Sequence, residues 1–230
     1  MILNDVSTAD LVVLQVHLGG DRNFSYIFGD RLSGEAVVVD PGYGPQELSN
    51  ILADEQLTLK AILLTHGHDD HHGGVRVLRD LCGGETLAGA DTADGPVRLV
   101  TQEGEVVRLG NKPVIGIPTP GHASDHFCWL FEGFLATGDL LFCGKVGGTG
   151  PYFPESSAKQ EWSSLQHILE LPDATVVLPG HDYYGGEGVM PRSSIGHERD
   201  HNPFLSGGTF EAFVDLKENW AAYKAANGVR

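Results

Sequence analysis

The chain has 230 residues, 41% of them hydrophobic, enough to bury a substantial core, yet it holds no apolar run long enough to span a bilayer. A formal net charge of −16 excludes nucleic acids and anionic membrane surfaces from the expected partners. Cys82, Cys128 and Cys143 are odd in number and far apart, which argues against a disulfide framework; the N-terminus lacks a basic region followed by an apolar core, so the chain is expected in a reduced, cytoplasmic compartment.

Leu11 to His17 reads as a strand, followed by a turn at Gly19-Gly20-Asp21 and two more strands over residues 24–28 and 35–40, a meander that ends at Asp40-Pro41-Gly42. A helix is expected over residues 46–55, with Leu48, Ile51 and Leu52 on one face. The short apolar run Ala61-Ile62-Leu63-Leu64 then reads as a buried strand. It runs into Thr65-His66-Gly67-His68-Asp69-Asp70-His71-His72-Gly73-Gly74, beyond which Val75, Leu78, Leu81 and Cys82 recur at helical spacing. The cluster thus occupies the turn from the carboxyl end of a strand to the start of a helix, where open α/β sheets carry their sites.

His66 and His68, two apart in extended chain, project to one side. Asp70 and His71 follow a turn and approach the same space from another direction. His71 stands near a helix start, whose positive end disfavours imidazolium and is expected to keep the ring neutral. These are more donors than one zinc site with an open position needs, so two neighbouring metals are expected. A solvated histidine-rich turn is the bland alternative, and the strand-to-helix context disfavours it.

Further along, strands are expected at residues 106–108 and 114–117, before the rigid loop Thr119-Pro120-Gly121-His122. Residues 127–131 and 134–137 form a hairpin-like pair leading into Gly138-Asp139, where a lone carboxylate at the end of a buried strand is costly unless paired or metal-bound. The glycine-rich stretch from Cys143 to Gly150 lacks Walker spacing and reads as a loop passing close to a ligand. A helix over residues 157–171 is expected to bury Trp162, Leu165, Ile168 and Leu169, and a strand at 175–178 ends in Pro179-Gly180-His181. A last helix over residues 209–226 carries an aromatic stripe that reads as core. Strands alternating with helices after a meander indicate a mixed α/β sheet protein, and the absence of repeats or a linker points to one domain over residues 1–230.

Separate strand ends therefore deliver His122, Asp139 and His181 in addition to the cluster. In this order the residues resemble the metallo-β-lactamase superfamily motif, His-x-His-x-Asp-His, then His, then Asp, then His. The resemblance covers nearly the whole chain and implies a four-layer αββα sandwich of two mixed sheets flanked by helices, with metals at one edge. It implies two divalent metal ions per chain, zinc first with iron or manganese as alternatives. His66, His68 and His122 would hold one metal and Asp70, His71 and His181 the other. Asp139 would bridge them, and Asp70 and Asp139 carry the catalytic assignments. His17, His72, His126, His167, His197 and His201 fall outside the pattern and are expected to be surface or structural.

Within the superfamily, Thr137-Gly138-Asp139, Cys143-Gly144-Lys145 and Gly180-His181-Asp182-Tyr183 are similar to segments of glyoxalase II-type thioester hydrolases. That likeness implies a small-molecule, glutathione-based thioester as substrate, with Lys145 and Tyr183 binding it. The tyrosine that follows the lysine in that family's loop is replaced here by Val146-Gly147. Water shared by two divalent metals ionises near neutral pH, and a thioester expels a thiolate whose thiol has a pKa of about 8.5, so little proton donation is needed. The alternative is a persulfide dioxygenase, with one iron on His66, His122 and Asp139; a non-catalytic metal-binding interaction domain is the third reading.

Overall fold

The computed structural model describes residues 2–20, 22–91, 95–182 and 191–228. The chain begins with β1 (Ile2–Asp5), β2 (Leu11–Gly19), β3 (Asn23–Asp30), β4 (Glu35–Val39), α1 (Pro45–Asp54), β5 (Thr58–Leu63), α2 (Asp69–His72), α3 (Val75–Cys82), β6 (Glu85–Ala88) and β7 (Val97–Leu99). It continues with β8 (Gly104–Leu109), β9 (Lys112–Pro118), β10 (Phe127–Phe131), β11 (Phe134–Gly138), β12 (Leu141–Phe142), β13 (Lys145–Val146), α4 (Ala158–Ile168) and β14 (Val176–Pro179). Last come β15 (Ser193–Ser194), α5 (Ile195–His201), α6 (Pro203–Ser206), α7 (Phe210–Glu218) and α8 (Trp220–Asn227).

One sheet runs β1 to β7 in chain order, antiparallel up to β4 and parallel from there. The other has the order β15-β14-β11-β10-β9-β8, with β11 and β14 parallel and its other pairs antiparallel. Strands buried on both faces read as continuous apolar runs, and their alternation sorts side chains between two cores. Val37 and Val39 of β4 face the core between the sheets, with Phe28, Leu63, Trp129 and Phe131, whereas Ala36 and Val38 join Leu48, Ile51, Val75 and Leu78 under α1 and α3. On the other side, Ala136 and Leu178 enter the central core, while Leu135 and Val177 pack beneath Leu165, Ile168, Phe204 and Phe213. The result is the expected αββα sandwich.

Local differences have identifiable causes. The helix expected over residues 209–226 is two, α7 and α8, parted at Asn219, which leaves helical geometry (φ −104°, ψ 16°). Trp162 on α4 and Leu169 at its C-cap are only half-buried, and the face turned inward carries Glu161 and Ser164 beside Leu165 and Ile168. Among the described residues no helix is long and apolar enough to cross a membrane.

The parallel pairs bring Asp40, Thr65, Asp139 and His181 to one edge, within two residues of the ends of β4, β5, β11 and β14. There the sheets are joined through the backbone: Phe127 N–H donates to Thr65 O (2.7 Å) and Phe24 N–H to Gly180 O (2.9 Å). Elsewhere Lys112 of β9 donates to the buried Asp30 carboxylate, at the end of β3, which also accepts from Ser33 N–H at 2.9 Å. Burial opposes ionisation of Asp30, but the bonds from Lys112 and Ser33 outweigh it and hold the carboxyl at about 2, below its ordinary 3.8. A depressed carboxyl stabilises the fold fully above its unfolded pKa and loses that contribution as pH falls through the folded one. Asp30→Asn should therefore lower the urea midpoint at pH 6 and flatten its dependence on pH between about 4 and 2; an unchanged slope there would remove the tie between the sheets from the account.

Candidate metal centre

Asp40 sets up the first part of the site. It takes up a left-handed conformation (φ 49°), a strained choice for a side-chain-bearing residue. Its Oδ1 accepts Thr65 N–H (2.7 Å), and its Oδ2 accepts both the Thr65 hydroxyl (2.6 Å) and His71 Nδ1–H (2.9 Å). Two residues on, Gly42 meets α2 so closely that a Cβ would fall 1.8 Å from Asp70 O. Only glycine fits there.

This network dictates ring protonation. The single proton of the Thr65 hydroxyl goes to Asp40, so Thr65 Oγ1 accepts from His66 Nδ1–H (3.0 Å), leaving His66 Nε2 a bare lone pair. His122 Nδ1–H donates to Gly148 O (2.8 Å), which frees its Nε2 in the same way. His66 Nε2 and His122 Nε2 lie 2.9 and 3.2 Å from His68 Nδ1. Donor atoms of these three rings fall within 4.8 Å of one another, as do those of His66, His71 and Asp139, and those of Asp70, His71 and His181. All seven ligand candidates are thus brought together. His66, His71, His122, Asp139 and His181 are buried, while Asp70 and His68 open toward solvent.

Asp139 stands between the groups. Its Oδ2 is 3.6 Å from His122 Nε2, and its Oδ1 is 3.4 Å from both His71 Nε2 and His181 Nε2. Asp70 Oδ2 lies 3.5 Å from His181 Nε2 and is fixed by Asn23 Nδ2–H at 2.9 Å. His71 Nε2 and Asp139 Oδ1 are buried without a hydrogen-bond partner. Orphaned atoms of this kind in a nest of nitrogen and oxygen donors fit a divalent cation, which would satisfy both.

Burial holds His66 well below its ordinary value and also lowers His122, so both rings favour the neutral form that binds metal. His71 differs from expectation. Burial pushes it down, but the carboxylates of Asp139, Asp40 and Asp70 outweigh that and raise it to about 9. Helix α2 has only four residues, and its dipole cannot compete with three carboxylates. Burial likewise pushes Asp139 upward, and the rings of His71 and His181 more than reverse it, keeping the carboxyl well below its usual range.

Sequence reasoning missed the supporting residues. His126, expected to be surface or structural, is buried and stacks on His66 with ring centroids 5.2 Å apart. Its Nε2 accepts Asp139 N–H (3.2 Å) and its Nδ1 faces Thr119 Oγ1 (2.8 Å), while burial drives its pKa to about 3. Asp40 carried the same signal as Asp139, a lone carboxylate at the end of a buried strand. Of the proposed substrate residues, Lys145 is half-buried on β13, its ammonium 5.9 Å from the Phe142 ring centroid; burial lowers its pKa while Asp139 opposes the shift. Tyr183 lies outside the described residues. A cavity of about 350 Å³ adjoins the first group of rings, lined by Gly67, His68, Ala90, Ala123 and Asp125 among others. The larger cavity, about 790 Å³ beside Val6, Phe134, Cys143 and Arg192, is lined by none of the seven candidates, so donor geometry and not cavity size locates the site.

Comparison with known proteins agrees with this geometry. The family described as the metallo-beta-lactamase superfamily matches residues 18–94 and 83–181. A hydroxyacylglutathione hydrolase from Shewanella halifaxensis is 36% identical over 166 residues, which are 70% of this chain and 62% of that protein. The match thus spans about three fifths of that relative's length. Among solved structures, ETHE1 from Myxococcus xanthus aligns with a TM-score of 0.77 at 29% identity, over 96% of this chain and 91% of its own. TTHA1623, crystallised in a di-iron-bound form, gives 0.67 at 30% identity over 83% and 99%. With the family matched over most of its length, and with histidines and carboxylates gathered at one edge of an αββα sandwich, the chain belongs to the metallo-β-lactamase superfamily.

Proposed function

We propose that this protein is a binuclear metal-dependent hydrolase that cleaves a thioester such as S-lactoylglutathione. The observation that carries the proposal is the division of one carboxylate: Asp139 turns Oδ2 toward His122 and Oδ1 toward His71 and His181. With further donors on either side, that division supports two cations per chain, zinc first and iron or manganese as alternatives. His66, His68 and His122 would hold one, Asp70, His71 and His181 the other, and Asp139 would touch both. Divalent metals so held ionise water near neutral pH and polarise the carbonyl under attack.

The chain's own groups do the rest. Asp40, Thr65 and Gly148 fix which nitrogen of His71, His66 and His122 carries a proton, and His126 fixes the Asp139 backbone. With metal bound, every histidine of the centre would be held as a ligand and none would be left to serve as general acid. A thioester suits such a site, because its thiol leaves as a thiolate with a conjugate pKa of about 8.5. The relative named hydroxyacylglutathione hydrolase supports the same substrate class. With a net charge of −16 the protein repels anions at long range, so an anionic thiol carrier needs local cations; Lys145 is assigned that part, and the family likeness assigns Tyr183 to the same substrate.

The likeness to ETHE1 favours a second reading, a single iron on His66, His122 and Asp139 that oxidises glutathione persulfide. Against it stands the complete second group, Asp70, His71 and His181, which one iron would leave unused. Hydrolysis of S-lactoylglutathione and oxygen uptake on glutathione persulfide, assayed in parallel on one sample of measured metal content, separate the two. The proposal expects anaerobic hydrolysis with about two metals per chain; one iron, oxygen uptake and negligible thioester cleavage would sink it. Lys145→Ala should raise KM for the glutathione thioester several-fold more than it lowers kcat, the signature of lost uniform binding. An unchanged KM would remove the residue's role and much of the case for glutathione.

A further inference from the structure

The geometry points to Lys217, on α7 near the C-terminal end of the fold, as a positioning residue for His122, an inference that rests on the metal-centre reading above. Its ammonium donates to Glu161 Oε2 on α4 and, at 2.7 Å, to Gly147 O. The ion pair is buried: Glu161 is 0% exposed and the Lys217 side chain 12%. Lys217 also lies over the Phe213 ring, 4.9 Å from its centroid.

Burying two opposite charges seldom stabilises a fold beyond what an apolar pair would achieve, because both lose their hydration. The pair must then be judged by what it holds. Gly147-Gly148 has no side chains with which to anchor itself, and its backbone is free to take many conformations. Gly147 nevertheless occupies a defined slot, where a Cβ would lie 2.0 Å from Asp139 O, 2.9 Å from Glu161 Oε1 and 3.1 Å from His122 Cβ. Its N–H donates to Leu140 O (3.2 Å), and Lys217 clamps its carbonyl. The next carbonyl, Gly148 O, is the one that accepts His122 Nδ1–H and leaves His122 Nε2 free to bind metal.

Glu161 completes the clamp from the other side. Its helix is bonded to the His122 loop through Ser164 Oγ–H to Pro120 O (2.7 Å), and Ser157 N–H, at the N-cap of the same helix, donates to Gly121 O (2.7 Å). Gly121 touches the Glu161 backbone so closely that a Cβ there would fall 2.3 Å from its Cα. Helix α4 therefore holds the His122 loop through its backbone and serines, and the buried pair ties the Gly147-Gly148 segment to that same helix. Among the described residues Asp70 is held by Asn23, His71 by Asp40, and His181 is bridged to Asn23, all apart from Lys217 and Glu161. Loss of the clamp should accordingly weaken the first metal and spare the second.

The test is zinc titration calorimetry on the wild type, on Lys217→Arg, and on the double variant Glu161→Gln/Lys217→Met, which removes both charges and strands neither. Supporting positions behind a metal ligand are typically worth about 10–100-fold in affinity. The expected result is that the double variant loses about tenfold at one site only, that Lys217→Arg restores most of it, and that the urea midpoint stays near that of the wild type. A double variant that binds both metals like the wild type, or that loses both equally, overturns the inference. A second readout needs no variant: long-range ¹H–¹⁵N spectra of the metal-free wild type should find His122 locked as the Nδ1–H tautomer, and the other tautomer would overturn the claim. A wild type that takes up no zinc contradicts the metal-centre reading itself, whereas normal uptake with an unresponsive double variant contradicts only the role of Lys217.

Discussion

A carboxylate buried at the end of a central strand is the constraint on which the rest of this structure depends. Asp139 follows β11 with almost no access to water, and a lone ionised carboxyl in such a place would cost several kcal/mol. The protein answers with rings on every side, His71 and His181 against one oxygen and His122 against the other. Those rings come from three separate segments, one of them helix α2, so the sheets must meet at this edge with little tolerance. The backbone bonds from Phe127 to Thr65 and from Phe24 to Gly180 supply that registration.

Around this centre each ring is oriented by a different acceptor, and the acceptors differ in how firmly they are held. Asp40 is anchored by strand geometry and by Thr65, and it commits His66 and His71 together. Gly148 is a backbone carbonyl in a glycine pair, and its position depends on a buried ion pair from helices that belong to the outer layer. The two halves of the centre thus answer to different parts of the fold. The C-terminal helices, remote in sequence from the ligands, reach the first half of the centre through the Lys217 ammonium.

Much of the fold and of the candidate centre was legible in the sequence, for physical reasons that also explain what was not. The cluster from His66 to His71 is local, so its spacing and its strand-to-helix setting could be read directly. His122, Asp139 and His181 were each weak alone and became legible as strand ends that recur in order. Strands β1, β6 and β7 went unread because they are three or four residues long and carry little periodicity. Asp40, Thr65 and His126 escaped because their roles are bonds to other side chains, and neither residue type nor spacing records such partners. The dipole effect expected at His71 is outweighed: carboxylates from positions 40, 70 and 139 converge on the ring in space. Glu161 and Lys217 gave no signal at all, since each sits in an amphipathic helix where a charge ordinarily faces water.

The central claim is that two metals share Asp139. The direct measurement is anomalous diffraction at the zinc edge from crystals of the zinc-loaded protein. The account predicts two peaks roughly 3.5–4 Å apart, one beside His66, His68 and His122 and the other beside Asp70, His71 and His181, with Asp139 contacting both. A single peak held by His66, His122 and Asp139, with His71 and His181 turned away from it, would contradict the account.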